Sequence, residues 1–389
     1  MFLENKKYIL LLCPVYEPYQ SGGAQSFPLV VEALSSKYKL IVLTEFHSQK
    51  SLIEKKTNIL ILRILPIRDN FGKKSHIYSV CTFFLSYFII YAISIAFIFL
   101  GVKTFHFTRY CSYFISPLLV LLKILNINII YDCRTEVNEE QINQFSFAFK
   151  YCSYFLANSE SAYNSLVKCT LSKIPKKLII NPLKLKDLDL PERYKIGKRL
   201  IIENEYIVCI GTISKRKASL KIIQAFKRAT NEMIKNTKNK EIYIPKLLFV
   251  GRNDLGSKFI NIIRHLENVD YIGSLSHAET LKIIKLSFGT INASISEGIP
   301  RSCLESFFLR KPCLVPACVP EFKNYCPEVC VSVTNKKDYL NLIELIKILI
   351  NNKDYILRKN EKYPIKNHNY SYFESELLKF YDYALGQKN

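Results

Sequence analysis

The feature that most constrains the fold is an alternation of short apolar runs with longer segments of helical character. The runs are roughly 4–8 residues long and recur along the whole chain. This alternation is typical of parallel β-sheets covered by helices on both faces. A chain of 389 residues, nearly half of them hydrophobic, is long for one domain and comfortable for two. We therefore predict an α/β fold class with two domains, each built on a parallel sheet.

The predicted strands form two sets separated by a polar segment. The segment Asn181–Asn204 carries Pro182, Pro191 and many charges, as a connection between domains does. We predict an N-terminal domain over residues 1–185, a linker over 186–204 and a C-terminal domain over 205–369. The predicted strands are Tyr8–Cys13, Lys39–Thr44, Asn58–Arg63, Lys103–Phe107, Asn128–Asp132, Tyr154–Asn158 and Lys177–Ile180, then Tyr206–Ile210, Lys246–Val250, Val269–Ile272, Phe288–Ala293, Cys313–Val315 and Val329–Val331.

The net charge of +22 indicates an anionic partner, and it is spread over both halves of the chain. Attraction to an anionic membrane surface is one explanation, since each nearby Lys or Arg contributes about 1 kcal/mol. Nucleic acid is a second, but the sequence has no zinc finger, RNP motif or basic heptad helix, so we predict no nucleic-acid partner. A genome that favours Lys, Asn and Ile is a third, because charge alone does not specify a partner.

The 12 cysteines have no metal-type spacing. Cys13, Cys209 and Cys313 lie in apolar strand-like runs, where free Cys behaves as a small hydrophobic residue. This usage indicates a reducing, cytoplasmic compartment. The N-terminus does not resemble a signal peptide, because its six-residue apolar run is short and ends at Pro14.

The run Ser75–Val102 contains no charged residue and is long enough to span a bilayer. A single span would separate the first three strands from the others of the same sheet. We therefore favour a helix that covers the sheet and exposes its outer face to, or dips it into, a membrane. A purely buried helix and a true span are the alternatives.

Two loops carry features suited to a diphosphate. Gly22-Gly23 follows the first strand and precedes a helix predicted from Ala24, where free N–H groups favour anions. In the second domain, Gly211 follows a strand, and three cations, Lys215–Lys217, come next. Cations there stabilise the charge that accumulates on a diphosphate leaving group. A plain turn and a solvated lysine loop are the respective alternatives.

Two further strand ends are candidates for nucleotide contacts. One strand ends at Gly251-Arg252, where the next two polar residues could simply cap a helix. Another ends near Ile272, whose neighbouring backbone could bind a nucleobase edge. Ser276 and Glu279 have capping-box spacing and are predicted to serve structure.

The segment Ala293–Glu305 joins a strand to a helix and holds two carboxylates. Glu297 could orient a sugar hydroxyl, and Glu305 can accept both ribose hydroxyls because a carboxylate has two acceptor oxygens. The intervening residues predict a tight loop and a helix start whose amides face phosphate: Gly298, Ile299, Pro300, Arg301 and Ser302. A capped helix with an exposed pair of Glu residues is the alternative.

The spacing of Glu297 and Glu305 resembles the E-x7-E signature of retaining glycosyltransferases of the GT-B fold, family 4. Lys217 matches the family lysine, and Gly22-Gly23 matches the family glycine loop. Thr212 stands where the family has Arg, and Arg216 is the candidate replacement.

The acceptor side departs from the family pattern. Asp132 and Arg134 fall where many members place a His that faces the acceptor. His106, at another strand end, is the alternative His, with a structural role as the competing interpretation. The tail 370–386 resembles the family's crossover helix that returns to the first domain.

The resemblance implies two Rossmann-like domains whose parallel sheets face across a cleft, and retaining transfer of a hexose-type sugar from a nucleoside-diphosphate sugar. It implies a saccharide or lipid-linked acceptor, no cofactor and no metal; the lone D-x-D, Asp187–Asp189, lies in the predicted linker. We expect a cytoplasmic protein, peripheral on the cytoplasmic face of the inner membrane, in bacterial cell-surface polysaccharide or lipopolysaccharide synthesis. A non-catalytic binding or scaffolding protein on this fold is the alternative, supported by Thr212 and Arg134.

The predicted site residues are Glu297, Lys217, Arg216 and His106 for catalysis; Gly22, Gly23, Gly211, Thr212, Lys217, Gly251, Arg252, Ile272, Gly298, Ile299, Pro300, Arg301, Ser302 and Glu305 for the donor; and Asp132 and Arg134 for the acceptor.

Overall fold

The fold is described from a computed structural model that covers residues 7–14, 16–17, 22–66, 76–108, 113–134, 147–169, 173–184, 193–196, 199–236 and 242–386. The strands are β1 Tyr8–Leu12, β2 Lys39–Glu45, β3 Ile53–Lys56, β4 Ile59–Leu65, β5 Thr104–Phe107, β6 Asn128–Cys133, β7 Tyr154–Ala157, β8 Lys176–Leu178, β9 Arg193–Ile196, β10 Arg199–Ile202, β11 Tyr206–Ile210, β12 Lys246–Val250, β13 Val269–Tyr271, β14 Gly289–Ile291, β15 Cys313–Pro316 and β16 Cys330–Val331. The α-helices are α1 Gly22–Ser35, α2 His76–Phe99, α3 Ser116–Ile124, α4 Glu160–Cys169, α5 Ser219–Asn236, α6 Ser257–Ile263, α7 His277–Leu286, α8 Arg301–Phe308, α9 Pro320–Tyr325, α10 Lys336–Asn351, α11 Lys353–Asn360 and α12 Tyr370–Ala384.

The chain divides into two compact units. The first unit consists of Met1–Pro182 and His368–Asn389, and the second of Leu183–Asn367. Each predicted strand is present within a few residues of its predicted bounds, which confirms the α/β fold class.

The first unit has a sheet in the order β3-β4-β2-β1-β5-β6-β7-β8. Its strand pairs are parallel except β3 with β4. Strand β3 was not predicted, because its sequence IEKK has no apolar alternation. A short charged strand of this kind is common at a sheet edge, where it discourages pairing with other chains.

Alternate residues of the first sheet pack into separate cores on its two faces. Ile9 and Leu11 of β1 join a core that includes Phe27 of α1 and Phe373 of α12. Leu10, from the same strand, joins the core under α2 and α3. Burial of such a side chain stabilises the fold by about 1.5–3 kcal/mol, so both faces need helices.

Helix α12 returns to the first unit and is fixed there by a buried carboxylate. The Tyr38 hydroxyl donates to Asp382 Oδ1 at 2.5 Å, and Lys37 Nζ donates to the same oxygen at 2.6 Å. Burial alone would raise the pKa of Asp382, but its hydrogen bonds with Lys37 and Tyr38 lower it. The C-terminal helix is therefore an integral layer of the first unit.

Helix α2 packs on the sheet with one face and exposes much of the other. Its apolar stretch Val80–Phe99 is long enough to cross a membrane, yet only 28% of the most apolar window is buried. Strand β1 pairs both with β2, which precedes α2, and with β5, which follows it. A crossing would break this sheet, so the helix lies on the sheet with its outer face exposed.

The second unit has a parallel sheet in the order β13-β12-β11-β14-β15-β16. Residues 186–204, predicted as a linker, include the antiparallel pair β9–β10. Buried Ile201 of β10 packs with Tyr206 and Val208 of β11 in one core cluster. This part of the predicted linker therefore belongs to the second unit, because its alternating apolar residues are used for packing.

We expect Asp382→Asn to lower the free energy of unfolding by about 1–2 kcal/mol at pH 7, because it weakens two hydrogen bonds to a buried group. Since the pKa of Asp382 is lowered in the folded protein, this contribution is present above the unfolded pKa of about 4. It is lost as the pH falls through the folded pKa. Urea unfolding at pH 7 and at about pH 3 measures the difference between wild type and variant.

The matched control for this prediction is Glu374→Gln on the same helix, which we expect to change stability little. A stability difference between wild type and Asp382→Asn that persists unchanged at low pH would contradict the proposed role of the charge.

Candidate functional site

The second unit has a topological switch point at its first strand. Strand β11 pairs with β12 on one side and β14 on the other. The loops that follow β11 and β14 therefore run to opposite sides and leave a crevice at the carboxyl edge of the sheet, where such sheets bind ligands. Gly211, Thr212, Lys217 and Asn292 line a pocket there, with about 260 Å³ of space that includes open solvent.

Two glycines allow the strand ends at this crevice to approach each other. Gly251 has φ 141°, and a Cβ there would lie 2.1 Å from the carbonyl oxygen of Gly211. Gly211 has φ 122°, and a Cβ there would lie 3.3 Å from Lys217 Cε. Only glycine fits this backbone and space, and Lys217 consequently lies directly against the turn.

The loop after β11 and the loop after β14 are joined by an ion pair. Lys217 Nζ lies 2.8 Å from Glu297 Oε1 and 2.7 Å from Oε2, and both side chains are largely buried. Arg216 Nη1 donates to the Ser296 carbonyl at 2.7 Å and lies 3.4 Å from Glu297 Oε1. The structure thus brings together three residues that the sequence analysis assigned to catalysis.

The charge of Glu297 is set by its neighbours. Burial alone would raise its pKa, but the Lys217 ammonium, together with hydrogen bonds from Lys217 and Ser294 and the charge of Arg216, lowers it. Glu297 is therefore a carboxylate at neutral pH. It can accept hydrogen bonds from sugar hydroxyls, while the two cations beside it can face an anionic leaving group.

Helix α8 starts at the same crevice. Pro300 is its N-cap and supplies no side-chain hydrogen bond. The first amides of the helix, at Arg301 and Ser302, have no acceptor within the helix. With the partial positive charge of the helix terminus, they form a site suited to phosphate oxygens.

Glu305 is held by two groups on one of its oxygens. Its side chain is 4% exposed; His277 Nε2 lies 2.8 Å from Oε1, and Arg301 Nε lies 3.4 Å from the same atom. Neither contact uses Oε2. This arrangement anchors one carboxylate oxygen and leaves the second available to a ligand.

His277 is a site residue that the sequence analysis missed. It is the first residue of α7, directly after the N-cap Ser276, and the capping box of Ser276 and Glu279 is present as predicted. The capping-box spacing of Ser276 and Glu279 already explained this segment, so the sequence pattern did not single out His277. Its partner Glu305 is 28 positions away, which only the fold reveals.

Two buried donors at this edge have no protein partner within the described residues. They are Nη1 of Arg301 and Nδ2 of Asn292. The oxygen of Asn292 is occupied, since it accepts from the Ser294 amide and hydroxyl at 3.1 and 2.6 Å. Because buried polar groups are nearly always paired, two such donors indicate a ligand rich in acceptor oxygens. Asn292 was also missed, because it lies at a strand end with no motif.

The remaining predicted donor residues lie at the same sheet edge with different environments. Gly251 N donates to the Gly273 carbonyl at 2.8 Å, which ties the end of β12 to the residue after Ile272. Arg252 is exposed and pairs with Asp254 at 2.8 Å. Gly298 and Ile299 lie in the loop that precedes Pro300, as predicted.

In the first unit, α1 begins at Gly22, two residues earlier than predicted and close after β1. Asp132 and Arg134 lie at the end of β6, where Arg134 Nε donates to Asp132 Oδ2 at 2.7 Å. Arg134 Nη1 donates to Ser26 Oγ at 2.9 Å, and its guanidinium lies over the Phe27 ring at 5.0 Å. Arg134 is therefore locked onto α1.

His106 has a structural environment. It is fully buried, its Nδ1 bonds to the Tyr381 hydroxyl of α12, and its Nε2 lies 3.5 Å from Asp132 Oδ2. Burial alone would raise the pKa of Asp132, but Arg134 and His106 lower it. The ring is thus packed between β5, β6 and α12, and the catalytic role of His106 stays a prediction.

Within the described residues, no group of three or more His, Cys, Asp and Glu side chains has an arrangement that could hold a metal ion. Asp187–Asp189 lies outside the described residues. Metal independence therefore stays a prediction.

No protein-family model and no curated protein sequence matches the chain. Solved structures do match. Sucrose-phosphate synthase from Thermosynechococcus elongatus is 12% identical, with a TM-score of 0.70, over 98% of this chain and 100% of that chain. Anabaena HepE in complex with UDP and glucose is 11% identical, with a TM-score of 0.63, over 97% and 100%. Trehalose-6-phosphate synthase from E. coli bound with UDP-2-fluoro glucose is 9% identical, with a TM-score of 0.66, over 96% and 98%. These likenesses confirm the predicted fold: the chain has the GT-B architecture.

We expect Gly251→Ala to destabilise the second unit by about 2 kcal/mol or more, because the added Cβ meets the Gly211 carbonyl at 2.1 Å in a left-handed backbone. Gly256→Ala is the matched control, since Gly256 has φ 61° but no atom within 4 Å of an added Cβ. It should cost only the strain of its backbone (φ 61°, ψ −142°), and therefore clearly less than Gly251→Ala, which adds a clash to positive-φ strain. Thermal unfolding of both variants measures the difference, and equal losses would contradict the close approach of the two turns.

Proposed function

We propose that the protein is a retaining glycosyltransferase that moves a hexose-type sugar from a nucleoside-diphosphate sugar to a saccharide or lipid-linked acceptor. The observation that carries the proposal is the convergence of unlike groups at one sheet edge. A paired carboxylate and ammonium, a helix N-terminus, a second carboxylate and two buried donors without a partner among the described residues meet there. Separately, the ion-paired groups and the helix terminus have structural explanations; together with the unpaired donors, the set matches the parts of a nucleotide sugar.

The assignment follows the chemistry of each donor part. Oε2 of Glu305 accepts from the ribose hydroxyls, while His277 and Arg301 hold the other oxygen. The diphosphate lies at the amides of Arg301 and Ser302. Lys217 and Arg216 lie on the facing loop and carry the positive charge that departure of the diphosphate requires.

Glu297 is proposed to orient the transferring sugar. Its lowered pKa keeps it an acceptor for sugar hydroxyls at neutral pH. Donor binding places Lys217 between this carboxylate and the diphosphate, so the ammonium can move from one anion to the other as the glycosidic bond breaks. Thr212 lines the same pocket but carries no charge, so Arg216 supplies the second cation.

Retention, acceptor and location rest on the resemblance and on composition. The E-x7-E spacing of Glu297 and Glu305 supports retention of configuration. The net charge of +22 and the exposed apolar helix α2 support work at a membrane. We therefore propose cell-surface polysaccharide or lipopolysaccharide synthesis at the cytoplasmic face of the inner membrane, with a metal-independent reaction.

A non-catalytic binding or scaffolding role on the same fold is the second candidate. It is favoured by Thr212 and by Arg134, which is fixed to Asp132 and Ser26 where the family places a His. Such a protein would have lost donor turnover.

We expect Lys217→Ala and Glu305→Ala each to reduce sugar transfer or donor hydrolysis by about 100-fold or more, because each removes a charged partner of the donor. The measurements are calorimetry with a panel of UDP-, GDP- and ADP-sugars, followed by turnover assays with the donor that binds. Lys323→Ala and Glu344→Ala are the controls, since both residues are exposed in the same unit. NMR of the first-formed product gives its anomeric configuration.

A wild-type protein that binds a donor without turning it over would favour the scaffold role. Absence of binding to every donor, or full activity in either variant, would overturn the proposed site. An inverted anomer would overturn retention alone.

We expect His277→Ala to raise the donor KM by about tenfold with a smaller change in kcat, because His277 orients Glu305 without touching the reacting bond. His277→Gln should recover much of the loss, since its amide can donate one hydrogen bond. Steady-state kinetics with varied donor concentration measures both constants. A fall in kcat at unchanged KM would contradict a positioning role.

A further inference from the structure

The outer face of α2 is apolar from Val80 to Phe99. Exposed side chains recur at intervals of about one or two helical turns, from Phe84 through Phe88 and Ile95 to Phe99. Phe88 is 71% exposed and Phe99 is 87% exposed. A soluble helix normally turns a charged stripe to water, so this face differs from that of an ordinary surface helix.

Helix α3 extends this face. The Tyr91 hydroxyl of α2 donates to the Phe114 carbonyl at 2.7 Å and accepts from the Leu118 amide at 3.3 Å. The ring of Phe84 also contacts Phe114, with centroids 5.7 Å apart. The start of α3 therefore contacts α2, and Ile124 near the end of α3 is 71% exposed.

The C-terminal ends of the two helices lie at the same end of this layer. They lead into β5 and β6, whose first residues Thr104 and Asn128 are register partners. Exposed Lys103 follows α2, and exposed Lys123 lies in the last turn of α3. Apolar and basic side chains thus share one edge of the surface.

The sequence around this surface excludes negative charge. Between Asp69 and Asp132 the chain has no Asp or Glu, while it has five Lys or Arg residues. Among the described side chains of α2 and α3, Lys123 is the only charged one, so the α2–α3 face is apolar with basic charge at one edge. That combination matches an anionic lipid surface, whose headgroups attract Lys and whose acyl boundary accepts Phe and Ile.

We propose that the α2–α3 face docks the protein on an anionic bilayer as a monotopic surface, with α2 lying in the interface plane. The pairing of β1 with both β2 and β5 prevents α2 from crossing. A protein partner would be expected to supply acidic or polar complements, and a second copy of this face would place like charges together. The inference deepens the proposed location and is independent of the donor chemistry.

The test is flotation of the full chain with vesicles of phosphatidylcholine alone or mixed with phosphatidylglycerol. We expect binding to the mixed vesicles that weakens as salt rises, because exposed charges are screened. Phe88→Gln with Phe99→Gln should weaken binding about tenfold or more, since both rings enter the lipid. Lys103→Glu with Lys123→Glu should weaken it and remove most of the salt dependence.

Ile234→Gln with Phe308→Gln is the matched control, because these residues are 60% and 53% exposed in the second unit. It should bind vesicles as wild type does. Thermal unfolding checks that every variant remains folded, as expected for exposed positions.

Three outcomes would overturn the proposal: no binding to either vesicle, equal binding by the Phe88 and Phe99 variant and wild type, or equal binding to both lipid compositions. Sedimentation adds a fourth outcome. If wild type were a dimer and the Phe88 and Phe99 variant a monomer, a second copy would cover the face. Donor calorimetry without lipid is unaffected by any of these results, so failure of the surface and failure of the proposed function are distinguishable.

Discussion

The parallel pairing of β11 with β14 is the constraint on which the candidate site depends. It joins segments about 80 residues apart and sends their following loops to opposite sides of one sheet edge. The Lys217–Glu297 pair spans those loops, and α8 starts beside them. The close approach of Gly211 and Gly251 fixes the neighbouring strand ends in the same way. Without this register, the charged groups would be scattered surface residues.

The charges of the candidate site are paired, but some of its hydrogen-bonding groups have no partner among the described residues. Glu297 stays ionised in a largely buried position because Lys217 and Arg216 offset the cost of burial. Glu305 is held on one oxygen only, and Nη1 of Arg301 and Nδ2 of Asn292 have no partner among the described residues. A region built for stability alone would pair such groups or replace them with apolar residues. The arrangement is better explained by a polyoxygenated ligand that completes it.

The first unit uses similar residue types to tie its elements together. His106 bonds to Tyr381, and Arg134 bonds to Asp132 and Ser26, which links β5 and β6 to α12 and α1. The rigid sheet also determines the role of α2. The same apolar length that allows a bilayer span is held flat on the sheet by strands that precede and follow it. Helix α2 therefore presents an apolar surface, and the sequence between Asp69 and Asp132 adds no acidic residue to it.

The sequence by itself determined the alternation that specifies two parallel sheets, the strand positions, and the residues of the E-x7-E block with its cationic loop. These are local patterns, set by side-chain periodicity and turn chemistry within a few residues. The edge strand β3 escaped because its pattern is short and polar, and the pair β9–β10 escaped because its four-residue strands lie within a charged segment that resembles a linker. Only the tertiary structure decided that His277 holds Glu305, that Asn292 faces the crevice, that His106 is buried and that α2 is exposed. Each of these depends on contacts between distant segments, which local sequence does not encode.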